Sequence, residues 1–254
     1  MEQASKFFDL ADGEKSHLTS DDVEKPVRYG QINNSRAFLK LYAHPIGEWI
    51  EFWPHSPPYF RLKISCYATA VRKLALELMD AVLESLGLDQ ACLLEKLEEG
   101  IQLMAMNCYQ TSQHLHDCTF GMPPHSDYGC LTILFQSCEG LEIIDRSNGN
   151  WKAVPETPES LHVHIGDHLE VLSNGRYKSV VHRVVYNSRC RRISIASIQG
   201  LSMDQKVITA EELVDEKHPT AYKDTSFREF LQYLLSTDYA NGVSYIDSLR
   251  IFNP

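Results

Sequence analysis

A series of short apolar runs between residues 101 and 198 most strongly limits how this chain can fold. Turn residues separate the runs, as at Asn148-Gly149, Gly166-Asp167 and Asn174-Gly175, and such residues favour tight connections between strands. Seven short strands at this spacing are typical of a sandwich or barrel and do not fit alternating βαβ units. The predicted strands are residues 101–106, 131–135, 141–144, 161–165, 169–172, 179–185 and 193–198.

Helical periodicity is found on both sides of this region. Apolar residues recur at three- and four-residue steps from Val71 to Leu86, which predicts an amphipathic helix that ends near Gly87, with a shorter helix after it. Ser226 and Glu229 have the spacing of a capping box ahead of a C-terminal helix. Residues 1–30 predict a short helix and a loop, and the aromatic residues of 37–53 are expected to pack on the core. The prediction is one domain, residues 1–254, that is mainly β with flanking helices and has a jelly-roll catalytic core at 101–200.

Composition excludes several classes of protein. The net charge of −10 argues against a nucleic-acid partner, because phosphate binding needs a basic face. The polar start of the chain and the lack of a long apolar run predict neither a signal peptide nor a membrane span. The seven cysteines form no Cys-x-x-Cys pair, which fits a reduced intracellular protein. We therefore expect a cytoplasmic enzyme or binding protein.

The candidate metal ligands are His125, Asp127 and His182. Side chains alternate along a strand, so His125 and Asp127 are expected to point to one side. His182 lies inside an apolar predicted strand, where an unpaired imidazole would be costly to bury. Two histidines and one carboxylate form the facial triad that suits non-heme Fe(II) and leaves coordination positions open. Arg192 and Ser194 follow on one face of another strand and could anchor a carboxylate.

These residues together resemble the plant 2-oxoglutarate/Fe(II)-dependent dioxygenases. The likeness rests on His125-x-Asp127, His182 and Arg192-x-Ser194, and it extends over nearly the whole chain. Residues 103–109 resemble the family's Asn-Tyr-Tyr-Pro strand, and residues 165–184 match its most recognisable block. Residues 25–30 and Trp53-Pro54 resemble the flavanone 3-hydroxylase-like and related specialised-metabolism branches.

The resemblance implies a double-stranded β-helix with iron at one end. It implies a reaction in which 2-oxoglutarate and O2 are consumed, succinate and CO2 are released, and a small hydrophobic or aromatic plant metabolite or hormone is hydroxylated or desaturated. Ascorbate would serve as a reductant. The implied site residues are His125, Asp127 and His182 for Fe(II), Arg192, Ser194, Tyr109 and Asn107 for 2-oxoglutarate, and Phe38, Phe120 and Ile198 for the substrate.

The sequence also departs from the family pattern. Relatives usually carry a further N-terminal segment ahead of the position of Met1, so the chain is expected to be N-terminally shortened. Cys108 and Gln110 replace residues that are commonly aromatic and proline. Ile198 stands where several flavonoid-oxidising relatives have a stacking phenylalanine, which leaves a flavonoid substrate open.

Other assignments remain at this stage. His114 and His116 form a His-x-His pair in a polar loop, whereas His162 and His164 share a strand face and are expected to be a satisfied core or surface pair. A zinc hydrolase would tolerate the same ligands, but the Arg192/Ser194 anchor would have no task in it. Two further alternatives are a catalytically impaired paralogue that binds a small molecule or a partner, and an oxidase of the same fold that does not use 2-oxoglutarate. In each case the expected partner is a small molecule, and a monomer is assumed.

Overall fold

The computed structural model describes residues 1–32, 35–111, 120–236 and 244–251. Two antiparallel sheets form its centre, and their strands are numbered here in chain order. The strands are β1 (Val27–Ile32), β2 (Arg36–His44), β3 (Gln102–Tyr109), β4 (Met122–His125), β5 (Leu131–Gln136), β6 (Leu141–Ile144), β7 (Trp151–Ala153), β8 (His162–Ile165), β9 (His182–Val184) and β10 (Arg192–Gln199).

The strand order is that of a jelly roll. The larger sheet has the order β1-β2-β3-β10-β5-β8, and the smaller sheet has the order β4-β9-β6-β7. From β4 onwards the chain passes back and forth between the two sheets, which is how a double-stranded β-helix is wound. The predicted fold class is thus confirmed, and β1 and β2 extend the larger sheet at one edge.

Helices cover the sheets at both ends of the chain. None of the described helices is long and apolar enough to cross a membrane. They are α1 (Glu2–Asp9), α2 (Asp12–Lys15), α3 (Ile46–Trp49), α4 (Phe60–Leu86), α5 (Gln90–Glu98), α6 (Asp167–Leu172), α7 (Phe227–Tyr233) and α8 (Tyr245–Leu249), with 3-10 turns at Ser16–Leu18, Ile50–Phe52 and Glu211–Leu213.

The two faces of the larger sheet have different roles. Residues such as Leu39, Met106 and Ile195 are buried against Phe7 of α1 and Phe60 of α4, and this outer face forms an apolar core. Because side chains alternate along strands, the residues between them point to the other face, towards the smaller sheet. Cross-strand pairs define this inner face as Arg28 and Gly30 of β1, Arg36, Phe38, Lys40 and Tyr42 of β2, Leu103, Ala105, Asn107 and Tyr109 of β3, and Arg192, Ser194, Ala196 and Ile198 of β10.

The long helix α4 ends as its sequence predicts. Gly87 adopts a positive φ of 70°, and the Leu88 amide donates to the Leu83 carbonyl, which is the left-handed end that glycine allows. Inside the helix, the buried guanidinium of Arg72 donates to the carbonyls of Leu97 and Gly100. This contact satisfies carbonyls at the end of α5 and joins the two helices.

Several predicted elements need correction. Residues 169–172, predicted as a strand, belong to helix α6, in which all six residues are buried. Helix α4 begins at Phe60, well before Val71, and residues 27–44 contain β1 and β2, which were not predicted as strands. Strands β4 and β7 were also not predicted. The Ser226–Glu229 capping box ahead of α7 is confirmed.

Candidate metal centre

His125, Asp127 and His182 converge between the two sheets. His125 ends β4 and lies directly opposite His182, which begins β9, while Asp127 belongs to the loop that leads into β5. Asp127 Oδ1 lies 3.8 Å from His125 Nε2 and 4.0 Å from His182 Nε2. One ligand atom from each of the three residues lies within 4.8 Å of the others, so the group could hold a metal ion.

The hydrogen bonds of the two histidines leave Nε2 directed at the centre. His125 Nδ1 lies 2.9 Å from the Pro123 carbonyl oxygen, and His182 Nδ1 lies 3.0 Å from the Val180 carbonyl oxygen. Because a carbonyl only accepts, Nδ1 carries the proton in each ring and Nε2 keeps its lone pair. Such a bond to the second nitrogen fixes the tautomer and orientation of a metal-binding imidazole.

The protonation states also suit metal binding. Burial and the neighbouring His182 lower the pKa of His125 to about 4, so its ring is neutral at neutral pH. Burial alone would raise the pKa of Asp127, but the adjacent His182, His125 and His164 outweigh it and hold that pKa below its ordinary value. A carboxylate and neutral imidazoles are the forms that bind a divalent metal.

His164 lies beside this group. Its Nδ1 is 4.0 Å from Asp127 Oδ2, and its ring centre is 4.7 Å from that of His182. The side chain is buried, and Nδ1 has no hydrogen-bond partner in the described part of the chain. The prediction of a satisfied pair is therefore wrong for His164, whereas His162 lies near Gln136 at 3.4 Å. His114 and His116 lie outside the described residues.

Backbone contacts from the start of α6 hold the Asp127 loop. The Asp167 amide donates to the Asp127 carbonyl at 2.8 Å, and the His168 amide donates to the Gly129 carbonyl at 3.1 Å. A Cβ on Gly166 would lie 2.1 Å from that Gly129 oxygen, so only glycine fits this close approach. The predicted turn at Gly166-Asp167 therefore positions a metal ligand.

Burial of Asp167 raises the pKa of this carboxyl to about 7. Its two oxygens have no hydrogen-bond partner within the described ranges. The protonated form is therefore populated near neutral pH, which limits the negative charge next to the Asp127 loop.

Arg192 is buried on the inner face with donors to spare. Its Nη2 donates to Gln136 Oε1 at 2.8 Å, and its guanidinium lies over the Tyr109 ring at 5.2 Å. Its Nε and Nη1 have no partner among the described residues. A buried guanidinium with two unused donors is incomplete without an acceptor, and a carboxylate fits its fork.

The other predicted anchor residues lie around Arg192. Tyr109 is directly opposite Arg192, and Ser194 is directly opposite Asn107, in the pairing of β3 with β10. Asn107 Oδ1 accepts from Arg36 Nε at 3.1 Å and Nη2 at 2.8 Å. The structure brings all four predicted residues to the inner face.

The three predicted substrate residues have different surroundings. Phe38 lies on the inner face between Arg28 and Arg36, whose guanidinium carbons are 5.4 and 5.8 Å from its ring centre. Ile198 is buried in an apolar cluster with Tyr42, Leu103, Tyr128, Phe227 and Leu231. Phe120 lies against the Arg183 guanidinium at 4.8 Å, and Arg183 alternates with the metal-facing His182, so the structure does not bring Phe120 to the metal side.

The fold and site together define a class of protein. Two histidines, one carboxylate and a buried guanidinium with two donors unused in the described structure lie between the sheets of a jelly roll. This donor set suits non-heme Fe(II) and leaves coordination positions open for a carboxylate co-substrate and O2. The class is that of the non-heme iron oxygenases.

Comparison with known proteins identifies the family. The model of the 2OG-Fe(II) oxygenase superfamily matches residues 100–200. Flavanone 3-dioxygenase 3 of Oryza sativa subsp. japonica is 49% identical over 257 residues, covering 99% of this chain and 78% of the relative. Protein DOWNY MILDEW RESISTANCE 6 of Arabidopsis thaliana is 36% identical over 243 residues, covering 89% and 70%.

The solved structures agree. The dioxygenase for auxin oxidation in rice has a TM-score of 0.83 and 26% identity, covering 98% of this chain and 83% of that protein. JOX2, solved in complex with 2OG, Fe and JA, has a TM-score of 0.79 and 27% identity, covering 91% and 71%. The chain belongs to the 2OG-Fe(II) oxygenase superfamily; it is a 2-oxoglutarate-dependent dioxygenase, and its cofactors are Fe(II) and 2-oxoglutarate.

Proposed function

We propose that the protein hydroxylates or desaturates a small hydrophobic or aromatic plant metabolite or hormone, with release of succinate and CO2. The names of its relatives refer to flavanones and those of its structural neighbours to auxin oxidation, which supports a small plant metabolite. The observation that carries the proposal is the buried Arg192 guanidinium, which has two donors unused in the described structure. It lies on the inner face of the larger sheet, which points towards the smaller sheet that carries His125 and His182.

In this proposal each residue has a defined task. His125, Asp127 and His182 hold Fe(II) through two Nε2 atoms and a carboxylate oxygen. The free Nε and Nη1 of Arg192 bind the distal carboxylate of 2-oxoglutarate, and the hydroxyls of Ser194 and Tyr109 can donate to the same group. Asn107 acts through Arg36: its Oδ1 accepts two hydrogen bonds from the Arg36 guanidinium.

Fe(II) bound by these residues would supply the activation of O2 needed to remove hydrogen from the substrate, and the protein contributes orientation and exclusion of water. No protein side chain is needed as a general acid or base. Residues 101–200 form the catalytic core of a single domain in this proposal, and we infer a cytoplasmic monomer.

Anaerobic titration with Fe(II) and 2-oxoglutarate tests the proposal. We expect a visible charge-transfer band that is lost in His182→Ala, followed by succinate release when a metabolite panel is added in air. A band without succinate release from any compound would favour the impaired paralogue. No band at all would favour the oxidase that does not use 2-oxoglutarate or a site that does not bind iron.

Arg192→Ala tests the anchor separately. Loss of a charge-assisted bidentate contact should raise the 2-oxoglutarate concentration required about 10- to 100-fold, with a much smaller effect on Fe(II). Arg191→Ala is the matched control, since this neighbouring arginine pairs with Asp9 on the opposite side of the strand. Equal increases in both requirements would show that Arg192 does not bind 2-oxoglutarate.

A further inference from the structure

The larger sheet has an unusual charge distribution for this chain. The chain carries a net charge of −10, yet the six strands of this sheet, as described, contain no Asp or Glu. Their four Lys and Arg residues, namely Arg28, Arg36, Lys40 and Arg192, all lie on the inner face. This face is therefore positive in an acidic protein.

Two of these four cations have no task in the site described above. Arg192 has the free fork, and Arg36 donates to Asn107. Arg28 and Lys40 lie directly opposite each other in the pairing of β1 with β2. Like charges in such a pair oppose strand pairing, so the fold gains nothing electrostatically from placing them together.

Neither cation is neutralised by a contact with a residue that the structure describes. In the part of the chain that the structure describes, no carboxylate oxygen lies within 4.0 Å of Arg28 or Lys40. Asp21 and Asp22 lie close enough only to act on Arg28 at longer range, and the main effect on the Arg28 pKa is a lowering by burial. Burial and the neighbouring Arg28 also lower the pKa of Lys40 to about 8.

Small residues lie beside this pair on the inner face. The cross-strand row that contains Lys40 continues through Ala105 of β3 and Ala196 of β10. Strand β2 lies two strand spacings from β10, or about 10 Å. Phe38, the next inner residue of β2, adds an aromatic surface, and its ring lies over Gly30, where a Cβ would come within 2.6 Å of it.

We propose that Lys40 and Arg28 bind a single anionic group of the substrate, a carboxylate or a phenolate, at the end of the molecule away from the iron. This inference rests on the proposed function and narrows its substrate class to acidic aromatic or apolar small molecules. A bound anion offsets the repulsion between the two cations, and its apolar body lies along Phe38, Ala105 and Ala196.

Matched acid and neutral probes test this binding mode. Naphthalene-2-carboxylate is compared with its methyl ester, and 4-nitrophenol with 4-nitroanisole, by calorimetry on the Fe(II)/2-oxoglutarate-loaded protein without O2. We expect each acid to bind about tenfold or more tightly than its neutral partner. The absorbance of 4-nitrophenol reports the phenolate directly and shows which of the two anions is preferred.

The variants are Lys40→Met, Arg28→Met and Lys40→Arg. Each methionine variant should lose most of the preference for the acid, whereas Lys40→Arg should keep it. Lys73→Met is the control, because its side chain is 82% exposed on α4 and should leave the preference unchanged.

The result distinguishes this inference from the proposed function. If the charge-transfer band forms and the acid and neutral probes bind alike, or if the preference survives in both methionine variants, the anion subsite is wrong and the oxygenase proposal stands. If no band forms but the preference depends on Lys40, the subsite is correct and the proposed function is wrong. The band in Lys40→Met shows at the same time whether that variant keeps its metal site.

Discussion

Glu170 provides the sharpest test of how the fold supports the metal centre. Its side chain is fully buried in α6. Oε2 accepts from the Ser179 amide at 2.6 Å and the Ser179 hydroxyl at 2.9 Å, while Oε1 accepts from the Tyr222 hydroxyl at 2.7 Å. Lys178 Nζ and Arg250 Nη2 lie 3.4 and 3.7 Å from Oε1. The carboxylate is therefore enclosed by donors and cations.

Removing the Glu170 carboxylate should destabilise the folded protein. Glu170→Ala leaves a buried amide and two hydroxyls without their acceptor, so we expect a loss of about 3–5 kcal/mol in the free energy of unfolding. Glu170→Gln keeps the size of the side chain but turns an NH2 group towards other donors, so we expect a loss of about 2 kcal/mol in the free energy of unfolding. For a chain of this length, that corresponds to a decrease in Tm of roughly 4–8 °C.

The affinity for Fe(II) should change together with the stability. The Ser179 amide that Glu170 holds lies next to Val180, whose carbonyl orients the His182 ring. Loosening this segment should lower Fe(II) affinity as well as stability, and both are measured by urea denaturation followed by circular dichroism and by metal titration. Glu77→Gln is the control, because Glu77 pairs with Lys73 on the exposed side of α4 and such pairs contribute less than about 1 kcal/mol.

The pH dependence follows from the same contacts. Burial alone would raise the pKa of Glu170, but the hydrogen bonds from Ser179 and Tyr222 and the charge of Lys178 outweigh it and lower that pKa. The contribution to stability is therefore present above the ordinary pKa of 4.5 and is lost as the pH falls through the lower folded value. A Glu170→Ala protein within about 1 kcal/mol of the wild type at neutral pH would refute this reasoning.

Two further predictions concern buried histidines. His164 packs beside Asp127 without a hydrogen bond to it, with its Nδ1 4.0 Å from Oδ2. Because side chains packed around a metal ligand help to orient it, His164→Phe should weaken Co(II) or Fe(II) binding about tenfold, and unchanged affinity in a titration would exclude this role. His168 is buried with both ring nitrogens unpaired in the described structure, and burial lowers its pKa from 6.5 to about 4. Between these two pH values the unfolded chain binds more protons than the folded chain. The free energy of unfolding therefore has its full value above pH 6.5 and decreases by about 3 kcal/mol as the pH falls to 4. In His168→Phe that part of the decrease should disappear from denaturation curves measured across this range, and an unchanged slope would contradict the assignment.

The sequence predicted what local alternation and residue type determine. His125 ends β4, and the apolar residues around His182 predicted its strand, but Asp127 lies in the loop after β4 and is not placed by strand alternation. Of the predicted turns, Asn148-Gly149 lies between β6 and β7, whereas Gly166-Asp167 and Asn174-Gly175 lie at the two ends of helix α6. Burial and register depend on residues far apart in the chain, so the contact of His164 with Asp127 could be found only from the structure. The same holds for the Arg28–Lys40 pair, which depends on the pairing of β1 with β2.

The error at residues 169–172 has a physical cause. A helix exposed on one side shows a 3.6-residue period, but α6 is buried on every side, and residues 169–172 are apolar apart from the buried, hydrogen-bonded Glu170. The amphipathic signal is then absent, and a short apolar run resembles a buried strand. The acidic Glu170 within this run was the clue, since a buried carboxylate requires donors that a continuous strand of the inner core would not supply.

This helix connects the two halves of the metal site. At its first turn, the Asp167 amide holds the carbonyl of Asp127. From its middle, the Glu170 carboxylate holds the Ser179 amide in the segment that leads to His182. The ligands of the two chain segments are thus positioned by one six-residue element that binds no metal itself. Because both contacts depend on the same buried helix, disturbing either end of α6 should move the histidine and the carboxylate relative to each other, and metal affinity should fall together with stability.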